Sequence, residues 1–166
     1  MADVKIAYAA SSNLTVTNLH SIATSSTLVS GWESGEVDNT TDKYIDYDIT
    51  AKIVVAAAGL SAGTIAIYAI PKLDDSTWPG GFDGTESTET TPLDDAGGTA
   101  SGARLIAAAT TDTTASQAYY LVGNVAEAFG GKCPAKFVLF ITHSTGANLA
   151  ASGNQVTIKG SYYTVG

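Results

Sequence analysis

His20 and His143 each stand beside a serine, in Leu19-His20-Ser21 and Thr142-His143-Ser144. Histidine and serine together carry out nucleophilic hydrolysis. Such a pair acts only when a third group orients the imidazole and the serine lies within hydrogen-bond reach, and adjacency in the chain supplies neither. For His143, at the end of an apolar run, the favoured reading is a structural hydrogen-bonding role. Cys133 is the single cysteine, in the turn-like Gly130-Gly131-Lys132-Cys133-Pro134 and far in sequence from both histidines. A thiol there needs thiolate-stabilising surroundings to react. One cysteine and two histidines cannot compose a zinc site of the usual Cys/His spacing. One cysteine also makes no internal disulfide, so cysteine usage gives no support for secretion. The phosphate-cradling Gly-x-x-x-x-Gly-Lys-Ser/Thr is absent, since Gly130-Gly131-Lys132 runs into Cys-Pro.

Carboxylates are more concentrated. Asp74, Asp75, Asp83, Glu86, Glu89, Asp94 and Asp95 lie between Lys72 and Arg104 with no basic residue among them. Hard cations take several oxygen ligands, which makes Asp74, Asp75, Asp83 and Glu86 candidate Ca²⁺ ligands. Their spacing departs from the EF-hand loop, and a solvated acidic loop is the favoured reading. Paired carboxylates also hydrolyse glycosides, but a glycine-rich loop holds them poorly at a fixed separation. Trp32, Trp78 and the tyrosines offer faces for stacking on sugars, yet aromatics equally fill sandwich cores and subunit interfaces. Large aromatics dominate interface energetics, so Trp32, Trp78 and Phe82 are the expected interface anchors. No catalytic set and no cofactor site is expected.

The elements that must carry these residues are strands. Leu, Glu, Lys and Arg are scarce, and β-branched and aromatic residues come in short runs bounded by Gly, Asn, Asp and Pro. From Lys43 to Val55 the chain alternates: Ile45, Tyr47, Ile49, Ala51, Ile53 and Val55 against Asp46, Asp48, Thr50 and Lys52. A period of two puts one face on a core. After a turn at Gly59 to Gly63, Thr64 to Ile70 is apolar on both faces and predicts a central strand, paired with the first as an antiparallel hairpin. Phe137 to His143 predicts a buried strand and Gln155 to Val165 a terminal one. Weaker strand signals cover Ser26 to Val29, Ala103 to Thr110 and Ala118 to Val122. Asn124 to Phe129 predicts one helical turn. The expectation is an all-β, antiparallel two-sheet sandwich, jelly-roll-like, with about seven or eight strands. It spans 26–166 and includes a long acidic loop at 72–101. Residues 1–25 are expected as an N-terminal arm that orders on a neighbour, or as a first strand.

Composition narrows the partners. The chain has 166 residues, enough for one domain that needs no metal or disulfide to fold. Charged residues are only 14%, and the surface is correspondingly rich in Thr, Ser, Gly and Asn, which lowers the desolvation cost of subunit contacts. A net charge of -8 opposes binding to nucleic acid or an anionic membrane. The N-terminal residues carry no secretory pattern, and no apolar run is long enough to span a bilayer.

Three segments resemble stretches of tailed-bacteriophage virion proteins. They are Ser25 to Gly35 followed by Val37-Asp38-Asn39-Thr40-Thr41, then Phe82-Asp83-Gly84-Thr85-Glu86-Ser87, and then Phe129-Gly130-Gly131 with Pro134 to Phe140 and His143-Ser144-Thr145-Gly146. The resemblance runs from about residue 20 to the end and carries no active-site residue. It implies a structural protein of the particle, made in the host cytoplasm and located in the virion. A capsid decoration or cement subunit bound to the major capsid protein is expected, with a tail or baseplate component next, and a carbohydrate-binding adhesion module as the alternative of another class. A homo-oligomer is expected, with a trimer suiting a three-fold position.

Overall fold

The alternation around Ile49 becomes a strand for the expected reason. In a computed structural model, which describes residues 3–90 and 102–166, Tyr47, Ile49, Ala51 and Ile53 are buried while Thr50 is exposed. Eleven strands and one helical turn form among the described residues. In chain order they are β1 (Val4–Tyr8), β2 (Ser12–Asn13), β3 (Gly31–Glu33), β4 (Val37–Asp38), β5 (Asp46–Val54) and β6 (Gly63–Pro71). There follow β7 (Ser87–Glu89), β8 (Arg104–Thr111), β9 (Ala118–Asn124), α1 (Val125–Ala128), β10 (Lys136–His143) and β11 (Gln155–Val165).

Two antiparallel sheets result. The first runs β1-β11-β5-β9, with β2 also on β11; the second runs β7-β3-β10-β6-β8, with β4 also on β10. Setting aside β2 and β4, which lie off the main path of their sheets, and the flap strand β7 leaves eight principal strands. In that count the first sheet reads first-eighth-third-sixth and the second reads second-seventh-fourth-fifth. This is the jelly-roll path, in which successive strands alternate between sheets except for the fourth and fifth, which pair within the second sheet.

The alternation overturns one expectation. β5 and β6 are not a hairpin: β5 pairs with β11 and β9 in one sheet, β6 with β10 and β8 in the other. The connection through Gly59 crosses between the sheets. A hairpin would leave the inward face of β5 without an opposing layer, whereas the crossing lets Ile49 and Ile53 meet Ile65 and Ile67 in one core. Ser26 to Val29 is also not a strand. The Ser25 hydroxyl accepts the Val29 and Ser30 N–H groups and Leu28 takes φ 59°, so the segment is a turn capped by its own serine.

β10 is the hub of the second sheet, and every residue from Phe137 to His143 is buried. One face joins the inter-sheet core. On the other, Val138, Phe140 and Ile70 are covered by Phe82 and Trp78 from the acidic segment. Residues 72–90 therefore form an ordered flap, with Phe82 packed edge-on against Phe140 at 5.5 Å. Asp94, Asp95 and the rest of 91–101 lie outside the described residues. Residues 3–25, the stretch expected as an arm or first strand, contribute to the chain's own fold. β1 pairs with β11, and Leu19 and Ile22 are buried in the chain's own core.

Gly31 marks the tightest approach between β3 and β10. A Cβ there would lie 2.3 Å from the Ile141 carbonyl oxygen and 2.7 Å from the Phe140 ring. Both neighbours belong to the central strand and cannot retreat. Gly31→Ala is expected to cost about 3 kcal/mol in denaturant unfolding. Gly35→Ala, with nothing within 4 Å of the added carbon, is expected to stay within about 0.5 kcal/mol of the parent. Equal midpoints for the two variants would contradict this packing.

Candidate interaction surface

β3 supplies two of the residues that hold the flap. Trp32 is fully buried in the inter-sheet core and its indole N–H donates to Glu86 Oε1 at 2.7 Å. Glu86 also accepts from the Asn18 backbone N–H (2.7 Å) and side-chain amide (2.6 Å). Glu33, likewise fully buried, accepts the Gly84 N–H at 2.7 Å and the Asp83 N–H at 3.2 Å. Burial pushes its carboxyl up to about 7; the two N–H bonds oppose the shift, while the charges of Asp83 and Glu89 add to it. Trp32, Glu33 and Phe82 thus clamp the flap onto the second sheet.

This geometry corrects the expected anchors. Trp32 and Phe82 are buried within their own chain and present nothing to a neighbour. Trp78 is half-buried, with Lys72 Nζ 5.0 Å from its ring centroid and Gly84 against its edge, so it covers the flap instead of standing free as a platform. The physical reason is shared. A sheet whose outer face carries Val138 and Phe140 needs a lid, and the nearest large apolar groups in sequence supply it.

The four candidate calcium ligands are not brought together either. Asp74 accepts the Ser76 and Thr77 N–H groups at 2.8 and 2.6 Å, which holds its carboxyl down to about 2. Asp83 caps Thr85 at 2.7 Å, Glu86 faces Trp32 and Asn18, and Asp75 is exposed. Among the described residues no three His, Cys, Asp or Glu side chains are grouped to hold a metal ion.

Nucleophile candidates fare similarly. His143 is buried, its ring nitrogens 3.0 Å from Thr145 Oγ1 and 3.2 Å from the Ile22 carbonyl oxygen, and burial lowers its pKa. Its neighbour Ser144 instead accepts the Thr64 N–H. His20 Nδ1 faces the Asn154 amide. Burial pushes the Cys133 thiol up to about 12, so thiolate is scarce at neutral pH. Gly59-Leu60-Ser61-Ala62-Gly63 carries the letters of a nucleophile elbow, but that motif works on a strand-to-helix turn. Here it bridges two strands, and the hydrogen bonds of both histidines go elsewhere.

The exposed large apolar side chains stand mostly on strand rims, with Leu73 in the flap besides. Past Ser161, β11 leaves β5 and, among the described strands, is accompanied by β1 alone, so the two form a two-stranded ribbon. Val4 stands opposite Val165, Ile6 opposite Tyr163 and Tyr8 opposite Ser161; opposed residues share a face. On that face Val4, Ile6, Tyr8, Tyr163 and Val165 are 55–69% exposed. The ammonium of Lys159 sits 5.0 Å from the Tyr8 ring centroid at its border. Tyr120 and Val122 are exposed on β9, the opposite rim strand of the first sheet, and Leu105 is exposed on β8, a rim strand of the second. Sequence reading missed these exposed residues, although the apolar alternation of Val4, Ile6 and Tyr8 was the available signal. Among the described residues no helix is long and apolar enough to cross a membrane.

No protein-family model, curated protein or solved structure matches the chain.

Proposed function

We propose that the chain is a structural subunit of a tailed-phage particle, a capsid decoration or cement protein that binds neighbouring coat subunits and acts by docking, not turnover. The observation that carries this reading is where apolar surface lies. On a jelly roll with few charges, most of the exposed large apolar side chains stand on rim strands, five of them on one face of the β1–β11 ribbon, while His20, His143, Glu33 and Glu86 are engaged by hydrogen bonds within the chain. Contiguous exposed apolar patches on a soluble domain mark interaction sites. Jelly rolls serve viral coats and lectins alike, so the fold by itself does not choose between them. The resemblance of the Trp32, Phe82 and Phe137 segments to phage virion proteins adds the second support.

On this reading the partners are the major capsid protein or other virion proteins, and the place of action is the capsid surface. Purified particles are expected to contain many copies by quantitative mass spectrometry. Added protein is expected to bind stripped shells and raise their disruption temperature. Absence from particles removes the virion assignment. Binding to tails but not to shells moves the subunit to the tail or baseplate. Glycan-specific binding that disappears in Tyr120→Ala would put host adhesion first.

A further inference from the structure

Among the described residues, β1 is the rim strand of the first sheet and pairs only with β11. Two hydrogen bonds establish which way its backbone faces. The Ala9 N–H donates to the Gly160 carbonyl at 2.9 Å, and the Gly166 N–H donates to the Asp3 carbonyl at 3.0 Å. In an antiparallel ladder alternate residues bond to the same neighbour. Residues 3, 5, 7 and 9 therefore direct their backbone groups toward β11. Val4, Ile6 and Tyr8 direct theirs to the open edge. That edge lacks the usual guards against pairing: β1 has no proline and no bulge, and its one charge is Lys5.

We propose that a second copy of the chain adds its own β1 antiparallel across this edge, about a twofold axis at Ile6, joining the two first sheets into one. The strand is complementary to itself in this register. Ile6 meets Ile6 of the other copy, and Val4 meets Tyr8 twice. All three pairs consist of residues with outward N–H and C=O groups, so each exchanges two hydrogen bonds. Lys5 falls opposite Ala7. Centring the pair on Lys5 sets like charges against each other at the axis and retains only two outward pairs within the strand. Centring it on Ala7 also retains only two. A slip of one residue opposes outward groups with inward ones and flips every side chain.

The pairing places the apolar faces of both ribbons side by side, which doubles the patch formed by Val4, Ile6, Tyr8, Tyr163 and Val165. It yields a twofold dimer, in place of the trimer expected from particle symmetry, and it does not depend on the chain belonging to a virus.

The test uses the full chain in solution. Sedimentation over a range of concentrations is expected to show a reversible dimer. Ile6→Pro removes a donor at the axis, and Ile6→Lys places two ammonium groups there. Each is expected to raise the dimer dissociation constant at least about tenfold while leaving the thermal midpoint of the monomer within a few degrees. Position-specific cross-linking is the second arm, in a Cys133→Ser background. Ile6→Cys places two thiols within disulfide range in a hydrogen-bonded pair, so oxidation is expected to link it into a dimer. Val4→Cys places its two thiols too far apart to link. A chain that stays monomeric throughout, or that cross-links as readily through position 4 as through position 6, overturns the proposal.

Discussion

Trp32→Ala is expected to lower the stability of the isolated chain by about 3–5 kcal/mol, the range for truncating a large buried aromatic. Three observations set this size. Trp32 is fully buried between the sheets, its cross-strand neighbours are Ile141 and Thr88, and its indole N–H satisfies one oxygen of Glu86. Truncation opens a cavity in the core and removes a donor from a carboxylate that helps hold the flap. Trp32→Phe separates the two effects. It retains much of the packing and is expected to cost about 1–3 kcal/mol, the penalty of the lost donor plus the smaller ring. Trp78→Ala, at a half-buried position, is expected to cost less than Trp32→Ala. The measurement is equilibrium denaturation of the three variants. A Trp32→Ala chain as stable as the parent, yet impaired in partner binding, would restore the tryptophan to the interface role.

Acidification from pH 7 to pH 5 is expected to stabilise a His143→Gln chain by on the order of 2 kcal/mol and to destabilise a Glu33→Gln chain. The parent, which carries both groups, is expected to vary less than either. Glu33 has a folded pKa of about 7 against an ordinary 4.5, with burial the largest cause. The folded state therefore holds this proton more tightly than the unfolded one. Its contribution is fully present below about 4.5 and is lost as pH rises through about 7. His143 runs the other way. Its folded pKa lies below the ordinary 6.5, again because of burial, so its contribution is present above 6.5 and is lost as pH falls through the depressed value. The lowered carboxyls of Glu36, Asp38 and Asp74 act only near or below their ordinary values, at or under pH 4.5. The raised Cys133 thiol acts at alkaline pH. Between pH 5 and 7 the two buried groups oppose each other. Chemical denaturation of the two variants and the parent across this range is the check. Parallel profiles for all three would show that neither group titrates with folding.

Buried Glu33 also explains why the flap is ordered despite its glycines and carboxylates. Its backbone partners Gly84 and Asp83 follow directly after Phe82, which caps Phe140. The short run Gly31-Trp32-Glu33 thus performs three tasks: close approach to β10, core filling, and flap retention. The structure explains that run by packing requirements.

Much of the fold was legible in the chain. Tyr47, Ile49, Ala51 and Ile53 announce a strand buried on one face because the side-chain period of a strand is two and the alternation persists through it. Thr64 to Ile70 and Phe137 to His143, apolar on both faces, announce strands covered on both sides, and they became β6 and β10. The helical turn before Gly130 was read from the same local pattern. With one cysteine the chain can form no internal disulfide, and with two histidines beside it no zinc site of the usual Cys/His spacing.

What the sequence determined by itself was therefore the strand class and the two-layer outcome, since each depends on residue type and short-range period. Which strands pair was decided only by tertiary structure. β1 meets β11 across nearly the whole chain, and β5 parts from β6 because both must offer an apolar face to the same core. The fates of the aromatics were decided there too. Nothing local distinguishes Trp32, enclosed by strands over fifty residues away in sequence, from Tyr163, left open where β11 outruns its neighbour β5. Burial is a property of what arrives from elsewhere in the chain, and a residue's own neighbourhood does not record it.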